Sequence, residues 1–301
     1  MVRLSLAALA TLAIAPLASY AQGQPDFSKV EIKTTKISGN FYTLEGQGGV
    51  IGVLTGPDGV LMVDSQFAPL TGKIVAAVKQ ISDKPIRFMI NTHVHPDHTG
   101  GNANLGNMGV TIFAREQLRE RLIHPSPGAN GAVPPGAPAA ALPVVTYSGP
   151  VTFHLNGEDV RLIPIVRAHT DGDTLVRFEN ADVIMTGDFY RSIQFPNIDR
   201  VNGGSLNGML DGLGYIIGQA GPNTKIIPGH GPIVDRNAVI AQRDMILAIR
   251  DRVAKLVEQG QTVEQVVAAK PAADFDSKVQ EAGTTRDRFI GQLYAELKTG
   301  K

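Results

Sequence analysis

Three imidazoles and a carboxylate fall within six residues of the segment Asn91-Thr-His-Val-His-Pro-Asp-His-Thr-Gly-Gly101, namely His93, His95, Asp97 and His98. The whole chain has only seven histidines, so this is a concentration and not background. Residues two apart in an extended segment point the same way. His93 and His95 are therefore expected to converge, while Pro96 bends the chain and re-aims Asp97 and His98. Neutral imidazole and carboxylate at this density suit zinc or another borderline first-row metal, with iron and manganese left open, better than calcium or magnesium, which prefer oxygen shells.

The same grammar recurs elsewhere: a short apolar strand, then a metal-type ligand immediately after it. Residues 86–90 precede His93, 160–166 precede His169, 183–185 precede Asp188 and 225–227 precede His230; residues 60–63 precede Asp64 in the same way. Ligands at the ends of neighbouring strands can meet in one cleft, held there by rigid elements. Glycine and threonine crowd these corners, where glycine lets the backbone turn sharply and threonine or aspartate can hold a histidine by its second nitrogen. His124, beside a proline, and His154, in a hairpin strand, fit no such corner and read as structural.

The elements that carry the corners form two similar halves, each opening on hairpins and followed by helices. Strands are predicted over 30–37, 40–45, 48–55, 60–63, 86–90, 110–113, 151–155, 159–166, 174–178, 183–185 and 225–227. Helices are predicted over 69–81, 115–122, 205–217, 237–258, 263–269 and 286–298. Gly56-Pro-Asp-Gly59 and Asn156-Gly157 carry strong turn chemistry. The pattern suggests an α/β sandwich of two sheets with helices outside, in place of a doubly wound parallel sheet. Residues 125–143, rich in proline, glycine and alanine, read as a loop insertion, a rim or a lid.

At 301 residues, 43% hydrophobic and 19% charged, the chain is expected to form a single domain over 22–301 after a leader. Arg3, the apolar run 4–17 and Ser19-Tyr-Ala21 predict a secretory signal peptide over 1–21, and hence a secreted, periplasmic protein without a membrane anchor after cleavage. A formal charge of zero, with no basic run, speaks against nucleic acid as a partner and for a small-molecule substrate. With no cysteine, disulfides, thiolate ligands and thiol nucleophiles are excluded.

Taken together, Thr92-His-Val-His-Pro-Asp-His-Thr-Gly-Gly101, His169-Thr-Asp-Gly-Asp173, Thr186-Gly-Asp188 and Pro228-Gly-His230-Gly231 resemble the motifs of the metallo-β-lactamase fold superfamily. The resemblance implies a four-layer αββα sandwich with a dinuclear site at one edge. It assigns His93, His95 and His169 to one zinc ion and Asp97, His98 and His230 to a second, with Asp188 bridging and Asp64 supporting from behind. It also implies a hydrolase whose metal-bridging hydroxide, oriented by Asp97, attacks the carbonyl of a small ester, lactone, thioester or amide.

Asp188 at the bridging position resembles glyoxalase II and lactonases. The β-lactamase alternative would be of the cysteine-free type, which typically lacks that aspartate. Tyr190 is a candidate oxyanion donor, with packing after a strand as the competing reading. Residues 195–199, 202–205, Gln66 and Phe67 are candidate site-edge residues. An iron-dependent redox or sulfur-oxidising enzyme, and a non-catalytic binding protein, are the readings of other classes; glutamate is usual in the iron variants where His95 stands.

Overall fold

The computed structural model describes residues 26–128 and 130–299. The predicted signal peptide over 1–21 lies outside the described residues. Strands β1 (Lys33–Ser38), β2 (Phe41–Glu45), β3 (Ile51–Leu54) and β4 (Val60–Val63) form an antiparallel meander. Helix α1 (Thr71–Ile81) then crosses over to β5 (Ile86–Ile90). Helices α2 (Pro96–Thr99) and α3 (Asn102–Asn107) lead to β6 (Thr111–Arg115), and α4 (Glu116–Ile123) with the proline-rich segment leads to β7 (Val145–Tyr147). Strands β4 to β7 run parallel, completing a seven-stranded sheet in chain order.

The second sheet has the order β12-β11-β10-β9-β8, built from β8 (Val151–Leu155), β9 (Glu158–Pro164), β10 (Thr174–Phe178), β11 (Val183–Met185) and β12 (Lys225–Ile227). It is antiparallel except for the β11–β12 pair. Its helices are α5 (Leu206–Gln219), α6 (Arg236–Glu258), α7 (Val263–Ala268) and α8 (Gly283–Thr299).

Period-two patterning produces the layers. Leu61 and Val63 of β4 face the second sheet, where they meet Val160, Leu162, Val176 and Phe178. Val60 and Met62 of the same strand face outward onto Ile74 and Val78 of α1 and Leu105 of α3. On the far side Leu175, Ile184 and Ile226 pack against Leu213 and Ile216 of α5, Ile246 and Ile249 of α6, and Ile290 of α8. Three apolar seams between four layers are an αββα sandwich, as expected. Each buried aliphatic side chain contributes roughly 1.5–3 kcal/mol. Among the described residues no helix is long and apolar enough to cross a membrane.

The expected turns and caps are present. Asn156 and Gly157 both take positive φ, 58° and 73°, as a two-residue hairpin turn requires. The Ser205 side chain accepts a hydrogen bond from Gly208 N at the start of α5. Strand β7 and helices α2 and α3 were not expected. Residues 92–94 form bends, and Pro96 opens a short helix with His95 at its N-cap, so the extended geometry expected for His93 and His95 is not what brings them together. Two backbone bonds stitch the sheets at one edge, Thr174 N to Thr92 O (2.8 Å) and Val50 N to Gly229 O (2.9 Å), and a third, Gly49 N to Asp97 O (3.1 Å), ties the corner after β5 to the start of β3.

Candidate metal centre

That stitched edge is where the strand ends deliver their histidines. His93 and His98 follow β5, His169 follows β9, Asp188 follows β11 and His230 follows β12. Two groups form among the described residues, His93, His95, His169 and Asp188 in one, and Asp97, His98, Asp188 and His230 in the other. Within each, one ligand atom per residue lies no more than 4.8 Å from every other.

Asp188 joins the two groups with different oxygens. Its Oδ2 lies 3.6 Å from His93 Nε2 and 3.7 Å from His169 Nε2, and its Oδ1 lies 3.3 Å from His98 Nε2 and 3.4 Å from His230 Nε2. Asp97 Oδ2 closes the second group, 3.0 Å from His230 Nε2 and 3.7 Å from His98 Nε2. His95 enters the first group through Nδ1, 2.9 Å from His169 Nε2.

The other ring nitrogens are fixed from behind. Asp64 accepts from Thr92 N, from Thr92 Oγ1 and, at 2.7 Å, from His98 Nδ1. Its backbone takes φ 65° to reach all three, a left-handed conformation that aspartate tolerates better than most residues. His93 Nδ1 pairs with Thr92 Oγ1 at 3.1 Å. The 195–202 loop serves two histidines at once: Asn197 O lies 2.6 Å from His169 Nδ1, and Asp199 Oδ2 lies 2.7 Å from His95 Nε2. Asp173 accepts the backbone N–H groups of His169 and Thr170.

Close packing leaves room only for glycine at two corners. A Cβ on Gly229 would stand 1.9 Å from Asp188 Oδ1, and one on Gly49 would stand 2.1 Å from the His98 ring.

The electrostatics prepare the cluster for a cation. Burial, with the neighbouring charge of His98, pushes His93 well below the ordinary imidazole value, and burial with His95 pushes His169 down to about 3. Burial alone would raise Asp97, but the close approach of His230 and the charge of His98 outweigh it and hold its carboxyl at about 2. Burial opposes ionisation of Asp188 too, and the charges of Arg191, His98 and His93 override it, keeping it well below the usual carboxylate range. Burial also opposes charge on His98 and His230, but Asp188 with Asp64 holds His98 well above the ordinary imidazole value, and Asp188 with Asp97 raises His230. The first group thus offers His93 and His169 as neutral imidazoles, while metal binding at the second would displace protons from His98 and His230.

The donors also lack anything else to bind. His93 Nε2, His98 Nε2, His230 Nε2 and Asp188 Oδ1 are buried without a hydrogen-bond partner. Each such atom costs about 1–3 kcal/mol unless something occupies it. Five imidazoles and two carboxylates, with four donor atoms orphaned toward one another, fit divalent metal ions.

Tyr190 is the one expected site residue outside this arrangement. Its side chain packs in the core behind the second sheet and lines a separate cleft of about 260 Å³ with Ala238, Met245 and Val279. Burial pushes the pKa of its hydroxyl well above the ordinary phenol value. Packing, the competing reading, is where the structure puts it, and the expected oxyanion role has no geometry behind it.

The next residue does reach the site: the Arg191 guanidinium donates to Asp188 Oδ2 and, at 2.8 Å, to Gln194 Oε1. Gln66, flagged as a site-edge residue, is buried and donates to Gly49 O at 2.7 Å, holding the strand that backs His98. His154 pairs with Asp159 on the surface, and His124 ends α4, away from both groups.

The family model described as Metallo-beta-lactamase superfamily matches residues 44–239. The chain is 31% identical over 78 residues, 24% of its length and 15% of the relative's, to a linear primary-alkylsulfatase from Pseudomonas sp. (strain ATCC 19151). It is 28% identical over 188 residues, 56% of its length and 54% of the relative's, to the 2,4-dinitroanisole O-demethylase subunit alpha of Nocardioides sp. (strain JS1661). The chain thus spans at most about half the length of these curated relatives. Among solved structures, the stereoselective inverting sec-alkylsulfatase Pisa1 from Pseudomonas sp. superposes with a TM-score of 0.66 at 15% identity, over 88% of this chain and 50% of that one.

Proposed function

The chain belongs to the metallo-beta-lactamase superfamily, and from that premise we propose that it is a zinc-dependent hydrolase, acting after export to the periplasm on a small ester, lactone or thioester. The observation that carries the reading is the set of buried, unpartnered donor atoms on His93, His98, His230 and Asp188, which converge from three strand ends on one spot. His93, His95 and His169 would hold one ion, Asp97, His98 and His230 the other, and Asp188 would contribute one oxygen to each. Zinc, when bound, supplies Lewis acidity to a substrate oxygen and lowers the pKa of water toward ~7.

The protein's own groups do the rest. Asp97 is ionised and partly exposed, beside solvent where the other acidic ligand, Asp188, is fully enclosed. It is the carboxylate placed to orient an attacking water and to receive its proton. Asp64, Asn197 and Asp199 fix the histidine rings by their outer nitrogens, so that the reacting groups are positioned before substrate arrives. No serine or cysteine nucleophile is required. Similarity to two alkylsulfatases favours a second reading, cleavage of an alkyl sulfate ester by the same groups.

One substrate panel tests both. Zinc-, manganese- and iron-loaded protein would be assayed on carboxylic esters, acyl lactones, thioesters, β-lactams, alkyl sulfates and phosphodiesters, with and without chelator. The highest kcat/KM is expected on a carboxylic ester, lactone or thioester and should disappear on chelation. A preference for alkyl sulfates would select the second reading, and turnover indifferent to chelation, or none on any substrate, would refute the hydrolase assignment.

A further inference from the structure

A cleft of about 580 Å³ opens beside the candidate metal centre, with His95 and Asp199 at its inner end. This volume is in the range of small-molecule sites. One wall is Val94, Pro96 and Ala103 from the segment that carries the histidines, and the other is Leu122 together with Pro134 and Pro138 of the proline-rich segment. Resting on the hydrolase reading above, we propose that this cleft is the subsite for an unbranched aliphatic chain of the substrate, with the scissile group at the His95 end and residues 125–128 and 134–141 as its outer wall.

The wall is pinned at both ends. Ala137 N donates to Leu122 O (2.8 Å), Asn102 Nδ2 to Ala141 O (3.1 Å), Arg119 Nη1 to Pro143 O (2.5 Å) and Arg121 Nη1 to Ser126 Oγ (2.8 Å). At the far end α3 lies so close that a Cβ on Gly106 would stand 1.9 Å from Ala140 O. Held at Ser126 and again from Ala137 to Pro143, the segment forms the rim of the sequence reading in place of a lid.

The chemistry of the lining selects the ligand. Proline offers no backbone N–H, and no aromatic ring lines the cleft to stack on a base or an aryl group. The guanidinium that does line it, Arg121, is engaged by Asp171 at 2.8 Å. Asp199 and Asn202 bond each other, Ser126 is held by Arg121, and Thr99 donates to Val94 O, so the polar groups in the lining are engaged within the protein. What is left is a mainly apolar trough running out from His95, which fits methylenes.

The test uses the zinc-loaded full chain and calorimetric titration with n-alkylphosphonates from methyl to decyl. Affinity is expected to rise about threefold per methylene over the middle of the series, as each buried CH₂ contributes, and then level off once the cleft is full. In Ala137→Trp, which fills the trough from the outer wall, the slope is expected to collapse toward no gain per methylene, with zinc content and thermal midpoint reporting that the variant is folded. Ala103→Leu from the opposite wall repeats the measurement should the tryptophan variant not fold.

Equal affinity across the series, no binding of the long members, or an unchanged slope in both variants would overturn the subsite. Because binding is read without turnover, a clear slope alongside a failed hydrolysis panel would refute only the hydrolase reading. Hydrolysis of short esters with a flat series would refute only the subsite.

Discussion

Asp188→Asn is expected to lower kcat/KM by at least about 10³-fold. Loss of a group that merely supports a metal ligand costs about 10–100-fold, and Asp188 is more than a support. It faces His93 and His169 with one oxygen and His98 and His230 with the other, fully enclosed by protein. The amide keeps the shape but replaces one of the two anionic oxygens with a donor, so one group loses its carboxylate whichever way the amide lies. The same change leaves Arg191 without its ionic partner. Steady-state kinetics on the best substrate of the panel, with metal in excess, measure the effect. A loss under tenfold would mean that the two groups do not act through a shared carboxylate.

Asp64→Ala is expected to destabilise the protein by about 3–5 kcal/mol, the scale for removing one member of a buried charged pair. The Asp64 carboxylate is buried and satisfies Thr92 N, Thr92 Oγ1 and His98 Nδ1, all of which would lose their acceptor in a space closed to water. Alanine would also inherit the φ of 65° without the side chain that makes it tolerable. Asp64→Asn, which still accepts from Thr92 but carries no charge opposite His98, should fall between the two. Urea unfolding of the metal-free proteins reads the differences directly. A change within about 0.5 kcal/mol for the alanine variant, the scale of ordinary surface substitutions, would show that the carboxylate does not hold this corner.

Much of the site was legible because every ligand follows an apolar strand at a glycine- or threonine-rich corner. That arrangement survives in one dimension, and the two halves, each opening on a hairpin and followed by helices, made the sandwich legible as well. How the ligands divide between two ions was not in the residues themselves and came from the family resemblance.

What escaped was long-range or local in the wrong way. Residues 195–199 were expected at the site edge, but not what they do there: Asp199 is 104 residues from the ring it steadies, and Asn197 acts through a backbone carbonyl that no side-chain pattern reveals. Strand β7 is three residues long and follows proline-rich sequence, too short for a period to register. Helix α3 is built from three asparagines, a glycine, an alanine and a leucine, with little helical preference as a set, and is held by packing of Leu105. Tyr190 shows the reverse error, since an aromatic residue next to a ligand in sequence points into the core because the strand's end turns there.

The central claim is that one chain holds two divalent ions through the groups that Asp188 joins. Elemental analysis of zinc-loaded protein after exhaustive dialysis tests it most directly. About two zinc ions per chain are expected for the wild type and clearly fewer for Asp188→Asn. Less than one ion per chain in the wild type, or the same content in both proteins, would contradict the account.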